Sequence, residues 1–354
     1  MLTFATLGSG SSDERRIRDL LAGYSASLFA YDRKQKWRMF RNLMARLARD
    51  RPDLVIMEGT GLAGGAALLA ASAMFGTRYV VSSGDAVGPF VAGRVAGLGP
   101  LFSIYERLLY ARSAGFIGWS PYLVGRALTF GAPRAMTAAG WAPFPSDPAT
   151  AVEDRARIRK LLSIPPEALV IGIAGSLAYT RRVSFCYGME LARAIPRVRR
   201  DDVYGLIVGD GSGRPFLEEA AKARPDRLLF AGRVDQKDVP AYLAAMDLGS
   251  LPQSVDGVGS FRYTTKLSEY LGAGLPVVTG QIPLAYDFGG RWLFRLPGKA
   301  PWSEQYLDRM VKLLEGMTPQ ILGEARSAVP RQLPEFDRDL QVKRVGQFIQ
   351  DLLG

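Results

Sequence analysis

The sequence predicts an α/β protein built from two parallel sheets in tandem, and three observations carry that prediction. Short apolar, β-branched runs alternate with stretches of helical length through both halves of the 354 residues. Unbroken apolar strands of this kind belong to parallel sheets covered on both faces by helices. The length exceeds one ordinary core and suits two domains of roughly 150–200 residues each. Between the halves, Pro143, Pro145 and Pro148 crowd one short stretch, the expected interdomain linker.

In the first half, residues 2–7 read as a strand, and Gly8-Ser9-Gly10-Ser11-Ser12 leads to a helix entered at Asp13. Phe40, Leu43, Met44 and Leu47 fall at i, i+3, i+4 and i+7 and predict an amphipathic helix over 35–49. Its polar side carries Lys36, Arg38, Arg41, Arg46 and Arg49. A strand at 54–57, a glycine-rich bend over 59–65, an alanine-rich helix and a strand at 79–81 follow. Residues 84–100 read as an irregular glycine-rich loop with a single acid, Asp85. A helix over 101–112, the segment Gly115–Gly118, a helix after Pro121 and a strand around 134–137 complete this half.

The second half repeats the rhythm, with strands expected at Leu169–Ala174, Val203–Val208, 228–230, Leu248–Leu251 and 276–279. Each half then has the size and order of a Rossmann-like domain, with a cleft between the two. The expected division is 1–142 and 143–335, with a terminal amphipathic helix over 336–354 able to fold back on the first domain.

Composition narrows the chemistry. The net charge of +11 and pI near 9.8 favour an anionic partner: phosphorylated substrates, an acidic membrane surface or nucleic acid. No nucleic-acid-binding module accompanies the charge, so nucleic acid is not the expected partner. There is no histidine, which rules out a Ser-His-Asp triad, a His metal site and an imidazole base. The single Cys186 excludes an internal disulfide, and no signal-peptide or membrane-spanning pattern is present, so a cytoplasmic location is expected.

Ligands of open parallel sheets bind beyond the carboxyl ends of the strands. After the 169–174 strand stand Gly175, Ser176, Arg181 and Arg182. A glycine admits a phosphate to the backbone and two arginines can clamp it, although a solvated basic loop has the same composition. Gly209-Asp210-Gly211-Ser212-Gly213 lacks the third glycine of a dinucleotide fingerprint and reads better as a tight turn. The segment 264–278, TTKLSEYLGAGLPVV, is more specific. Lys266 and Glu269 share one side of a helix, Leu267, Tyr270 and Leu271 form its buried stripe, and Thr264 and Thr265 supply hydroxyls and an N-cap. As an exposed ion pair the two charges would contribute only a few tenths of a kcal/mol. At a helix N-terminus on a sheet's carboxyl edge they suit a diphosphate and a ribose.

Residues 169–280 resemble the donor-binding half of GT-B glycosyltransferases, in particular the retaining glycosyltransferase family 4. The resemblance runs through GSLAYTRR (175–182), GDG (209–211), LLFAGRVDQKDVPAYLAAMDLGSLP (228–252) and TTKLSEYLGAGLPVV. More weakly, DLVIMEG and YVVSSGD in the first half resemble the acceptor domain. The resemblance implies that Gly175 and Arg181 meet the donor diphosphate and that Lys266 joins them. Glu269 would bind the ribose, Val234 would contact the base, and Asp85 would lie near the donor sugar. Ser176 stands where relatives often have an arginine. The first acid of the family's paired-glutamate motif would fall on Phe261, eight residues before Glu269, and Asp256 is the nearest acid that could reach back.

The implied activity is sugar transfer from a nucleotide-diphosphate sugar, such as a UDP- or GDP-sugar, to a glycan or lipid-linked acceptor hydroxyl. Retention is expected, with no metal and no other cofactor. A 2-epimerase of the same fold and a non-catalytic sugar-nucleotide-binding protein are the alternatives. The basic helix over 35–49 and the 84–100 segment suggest docking on an anionic membrane surface, at the inner face.

Overall fold

Val55, Ile56 and Met57, like Val170, Ile171 and Ile173, are fully or almost fully buried, as strands covered on both faces require. In the computed structural model, which describes residues 1–95, 97–331 and 333–354, they lie near the middle of two parallel sheets. The chain divides into one unit of Met1–Gly140, Phe261–Tyr263 and Pro334–Gly354, and a second of Trp141–Ser260 and Thr264–Leu333.

The first unit holds β1 (Leu2–Ala5), β2 (Ser27–Leu28), β3 (Val55–Glu58), β4 (Tyr79–Ser83), β5 (Gly115–Gly118) and β6 (Ala135–Thr137). Their order across the sheet is β2-β1-β3-β4-β5-β6. The second unit holds β7 (Leu169–Ala174), β8 (Val203–Val208), β9 (Leu228–Gly232), β10 (Leu248–Leu251), β11 (Val277–Gly280) and β12 (Leu293–Leu296). Here the order is β12-β11-β10-β7-β8-β9, which in chain sequence is the doubly wound pattern of mononucleotide-binding halves.

Two stretches depart from expectation. The 59–65 bend is shorter than predicted, because helix Leu62–Phe75 already includes Gly64 and Gly65. Those glycines serve close packing: a β-carbon on Gly64 would come within 2.8 Å of the Phe4 ring, and one on Gly65 would overlap the Tyr105 hydroxyl. The 84–100 segment is largely helical rather than irregular. Helix Val87–Arg94 and helix Gly99–Ala111 form a hairpin in which a β-carbon on Gly99 would lie 2.8 Å from that of Ala92. The fully buried Glu106 fixes this hairpin. Its carboxylate accepts hydrogen bonds from the backbone N–H of Val87 (3.1 Å) and Gly88 (3.2 Å). Arg126 closes the pair with an ion pair of 2.6 Å. Glycine content signalled a loop there, whereas tertiary contacts make a helix. In helix Lys36–Asp50 the buried stripe is Met39, Leu43 and Leu47, with Phe40 and Met44 only half-buried. β2 and β12 carried too little periodicity to be foreseen.

The terminal helix Arg338–Leu353 lies in the first unit, where the Tyr24 hydroxyl donates to the Gly346 carbonyl at 2.6 Å. Arg134 donates to the Asp351 carbonyl at 2.8 Å and Arg78 to that of Leu352. With Arg112, these arginines line a cleft of about 460 Å³ on which three helices converge with their C-terminal ends. Helix C-termini carry partial negative charge, so the guanidinium groups already have their counter-charge. That cleft lies at the amino ends of the strands, opposite the ligand-binding edge of such sheets.

Candidate functional site

In the second unit the strand order reverses between β7 and β10, which are direct neighbours. The loops leaving them diverge and open a crevice, the usual ligand position in a doubly wound sheet. The two segments flanking that point are the ones the sequence singled out: the loop beginning at Gly175 and helix Thr265–Gly272.

The helix starts cleanly. Thr264 is extended, and its side-chain oxygen accepts from the Lys266 N–H at 3.1 Å. That satisfies one of the free N–H groups at the helix start. Leu267, Tyr270 and Leu271 are buried, which turns Lys266 and Glu269 toward the half-buried side. Gly274 at φ 65° carries the left-handed step after the helix, while Gly272 is its last helical residue. The Tyr270 hydroxyl donates to the Ser250 carbonyl at 2.8 Å and ties the helix to β10.

Lys266 reaches across the switch point. A β-carbon placed on Gly175 would stand 2.9 Å from Lys266 Cε and 3.1 Å from Nζ, and Gly175 has φ 155°. So the amine lies directly over a backbone position that only glycine leaves open. Lys266 Nζ also sits 4.4 Å from the centre of the Tyr187 ring, a cation–π contact that fixes the otherwise flexible arm. Tyr187 is the site residue the sequence reading missed; an aromatic in an irregular loop offers no periodic signal. Burial pushes the Glu269 carboxyl up and the Lys266 charge pulls it part of the way back. Among the described residues no hydrogen bond to that carboxylate is formed from within the chain.

Gly209 belongs to the same floor. Its φ is 137°, and a β-carbon there would overlap the Gly175 carbonyl, so the loops after β7 and β8 touch backbone to backbone. The GDG segment is the tight turn its composition suggested, with Asp210 accepting from the Gly211 N–H at 2.8 Å. Below the crevice, Glu190 is fully buried. It accepts from the Ser250 hydroxyl (2.8 Å) and the Gly188 N–H (3.1 Å), and burial pushes its carboxyl up to about 7.

Other predicted residues lie outside this contact. Arg181 is exposed on the short turn Arg181–Val183, and Ser176 is exposed beside Gly175. Val234 is half-buried just beyond β9. Asp256 uses one carboxylate oxygen to cap its own loop, accepting from Val258 N–H (2.8 Å) and Gly259 N–H (2.9 Å). Phe261 belongs to the first unit, where its half-buried ring packs against the core and its carbonyl accepts from Ser120 at 2.5 Å. An apolar residue at 261 therefore has a packing role of its own.

Within the first unit, Asp85 forms a 2.6 Å ion pair with Arg262. The sequence did not foresee a second acidic group nearby. Arg16 and Glu58 form a buried pair at 2.7 Å, with Arg16 4.4 Å from the centre of the Trp119 ring and Trp119 donating to Glu58 at 3.0 Å. Next to it, Asp13 has its carboxyl raised to about 6 by burial and then by the charge of Glu58, with Arg16 opposing. Among the described residues no group of three or more Asp, Glu, Cys or His side chains is arranged to hold a metal ion.

A parallel doubly wound sheet with a cation over a glycine at its switch point has the chemistry to attract an anion. Residues 168–315 match the family of group 1 glycosyl transferases, and residues 4–139 match the glycosyl transferase 4-like domain. A 2-deoxystreptamine glucosyltransferase from Streptomyces kanamyceticus is 27% identical over 190 residues. That match covers 51% of this chain and 45% of the relative, so the chain spans under half the relative's length. HepE from Anabaena, solved in complex with UDP and glucose, superposes with a TM-score of 0.71 at 15% identity, covering 99% of both chains. Sucrose-phosphate synthase from Thermosynechococcus elongatus superposes at 0.72 with 12% identity, over 99% of this chain and 98% of that one. At such low identity these two structures speak for the fold, which is GT-B, and the family models match the two parts of the chain as glycosyl transferase domains.

Proposed function

We propose that this enzyme is a family 4 transferase that moves a hexosyl group from a nucleotide-diphosphate sugar to an acceptor hydroxyl, with retention and without a metal ion. The observation that carries the reading is the Lys266 amine held over Gly175 at the switch point, one helical turn before the half-buried Glu269. A diphosphate seated on the Gly175 backbone would meet that amine and the capped N-terminus of helix Thr265–Gly272. Arg181, exposed and close in sequence, is the second cation for it. Glu269 would accept from the ribose hydroxyls, and the backbone near Val234 would meet the base. HepE was solved with UDP and glucose, which favours a UDP-sugar donor over a GDP-sugar.

In the reaction, the acceptor oxygen bonds to the anomeric carbon while the bond from that carbon to the β-phosphate oxygen breaks. Charge grows on the β-phosphate, where Lys266, Arg181 and the helix N-terminus stabilise it. The acceptor proton passes to the departing phosphate on the same face, so no histidine and no separate protein base is needed. Asp85 lies near the sugar in this reading, oriented by Arg262. The acceptor is a glycan or a lipid-linked sugar presented at an anionic membrane, as in cell-surface polysaccharide or glycolipid synthesis.

A panel of UDP-, GDP-, ADP- and dTDP-sugars tests the reading. Transfer or slow hydrolysis with one donor class is expected, with retained anomeric configuration by NMR and no loss in chelator. Epimer formation, or binding without turnover, would overturn it.

A further inference from the structure

Helix Gly99–Ala111 carries a feature that the donor chemistry does not use. Leu101, Ile104 and Leu108 are 61%, 58% and 50% exposed. At 100° per residue these three fall within one narrow arc of the helix. The chain entering that helix adds Val95 and Leu98, also exposed. The result is an apolar stripe along the hairpin's second helix, grouped on one face rather than scattered.

The exposed charges on the two hairpin helices have one sign. Arg107 is exposed on the same helix, and Arg94 ends the preceding helix, stacked at 4.1 Å on Phe90. The helix's own acid, Glu106, is fully buried and held by Arg126 and two backbone N–H groups. So the stripe is bordered by arginines with no exposed carboxylate on the helix that bears it. A second copy of this chain would bring the same arginines against one another, at a net charge of +11 each. An anionic lipid surface matches both parts of the pattern, with hydrocarbon for the leucines and headgroup phosphates for the arginines.

The hairpin is also well placed. Its first helix begins four residues after β4, next to Asp85 at the carboxyl edge of the sheet. We propose that the exposed face of helix Gly99–Ala111, rather than the basic helix Lys36–Asp50, is the surface by which the enzyme docks on anionic bilayers. The proposal rests on the reading of a membrane-presented acceptor and names the surface responsible.

The test is sedimentation of the full chain with phosphatidylglycerol–phosphatidylcholine vesicles and with phosphatidylcholine alone. Binding is expected to the mixed vesicles only, falling as salt rises. The double variant Leu101→Asp/Ile104→Asp should lose at least about tenfold in vesicle affinity, because both hydrocarbon contact and charge match are removed. A second variant, Trp37→Ser/Arg41→Ser on the other helix, should bind like the parent. The nucleotide-induced thermal shift of both variants should match the parent, which certifies folding and keeps the donor reading separate from this one. Equal binding by the 101/104 variant, loss in the 37/41 variant alone, or binding to neutral vesicles would overturn the proposal. So would a dimer in sedimentation velocity that the 101/104 change disperses, since the face would then be an interface between copies.

Discussion

Replacing Lys266 by alanine separates a catalytic from a structural role of the switch-point amine. The arm is already held in place before any ligand arrives: it lies over Gly175 and 4.4 Å from the Tyr187 ring centre. A phosphate oxygen about 4 Å from it, at an effective dielectric of about 20, gains about 4 kcal/mol of Coulomb energy. Part of this is already present in the bound ground state. Loss of one preorganised donor to a developing oxyanion typically costs about 3 kcal/mol, or roughly a hundredfold in kcat. Folding loses much less, since the cation–π contact at a half-exposed site is worth about 0.5–1 kcal/mol. There is a secondary effect on Glu269. Burial already raises its carboxyl and Lys266 counters the rise, so the alanine variant should push it higher still. Donor KM in Lys266→Ala should therefore worsen as the pH is lowered, and do so at higher pH than in the parent. The assay is steady-state transfer against donor concentration across pH, with urea unfolding alongside. Turnover within about threefold of the parent would refute the reasoning, since so small a change is under 1 kcal/mol.

Further tests concern the scaffold. Gly209→Ala places a β-carbon into the Gly175 carbonyl, and it should weaken nucleotide binding by calorimetry at least about tenfold while leaving the first unit's Asp85–Arg262 pair untouched. Asp247 is almost fully buried and pairs with Arg155 (2.7 Å), Arg159 (2.8 Å) and Arg326 (2.7 Å). Asp247→Ala leaves those cations uncompensated and should cost about 3–5 kcal/mol in urea unfolding, and a cost below about 1 kcal/mol would contradict the account. Glu190 is fully buried with its carboxyl raised from the ordinary 4.5 to about 7. A raised carboxyl favours the folded state below its unfolded pKa, and that contribution is lost as pH rises through the folded value. The parent should lose about 3 kcal/mol of stability from this group between pH 4.5 and pH 7, and Glu190→Gln should flatten that slope. Asp85→Asn should lower turnover at least about tenfold if the carboxylate meets the sugar. Thermal stability should move little, because an ion pair still open to solvent contributes about 0–1 kcal/mol.

The sequence showed the sheets more clearly than the loops. β7, β8 and β10 were legible to the residue, β7 and β8 because strands buried on both faces are nearly continuous apolar runs. Segment 84–100 was misread because its glycines suggest a loop locally. In the fold, Gly88 and Gly99 let two helices approach, and Glu106 supplies the latch from well outside the segment. The Lys266–Glu269 pair was legible from helical spacing and capping residues. Tyr187 was not, because its role depends on a three-dimensional meeting with Lys266. Nor was the Asp13 environment, which needs the carboxyl edges of several strands brought together. Phe261 looked like a gap in a motif from the sequence alone, and in the structure it is a packed residue of the first unit.

The central claim is that the crevice between β7 and β10 holds a nucleotide diphosphate through Lys266 and Glu269. Titration calorimetry of UDP and UMP against the parent, Lys266→Ala and Glu269→Gln tests it most directly. The account predicts that the parent prefers UDP over UMP by at least about tenfold, since the second phosphate meets the amine and the helix N-terminus. Lys266→Ala should erase that preference, and Glu269→Gln should weaken both ligands alike through the shared ribose. An undiminished preference for UDP in Lys266→Ala would contradict it.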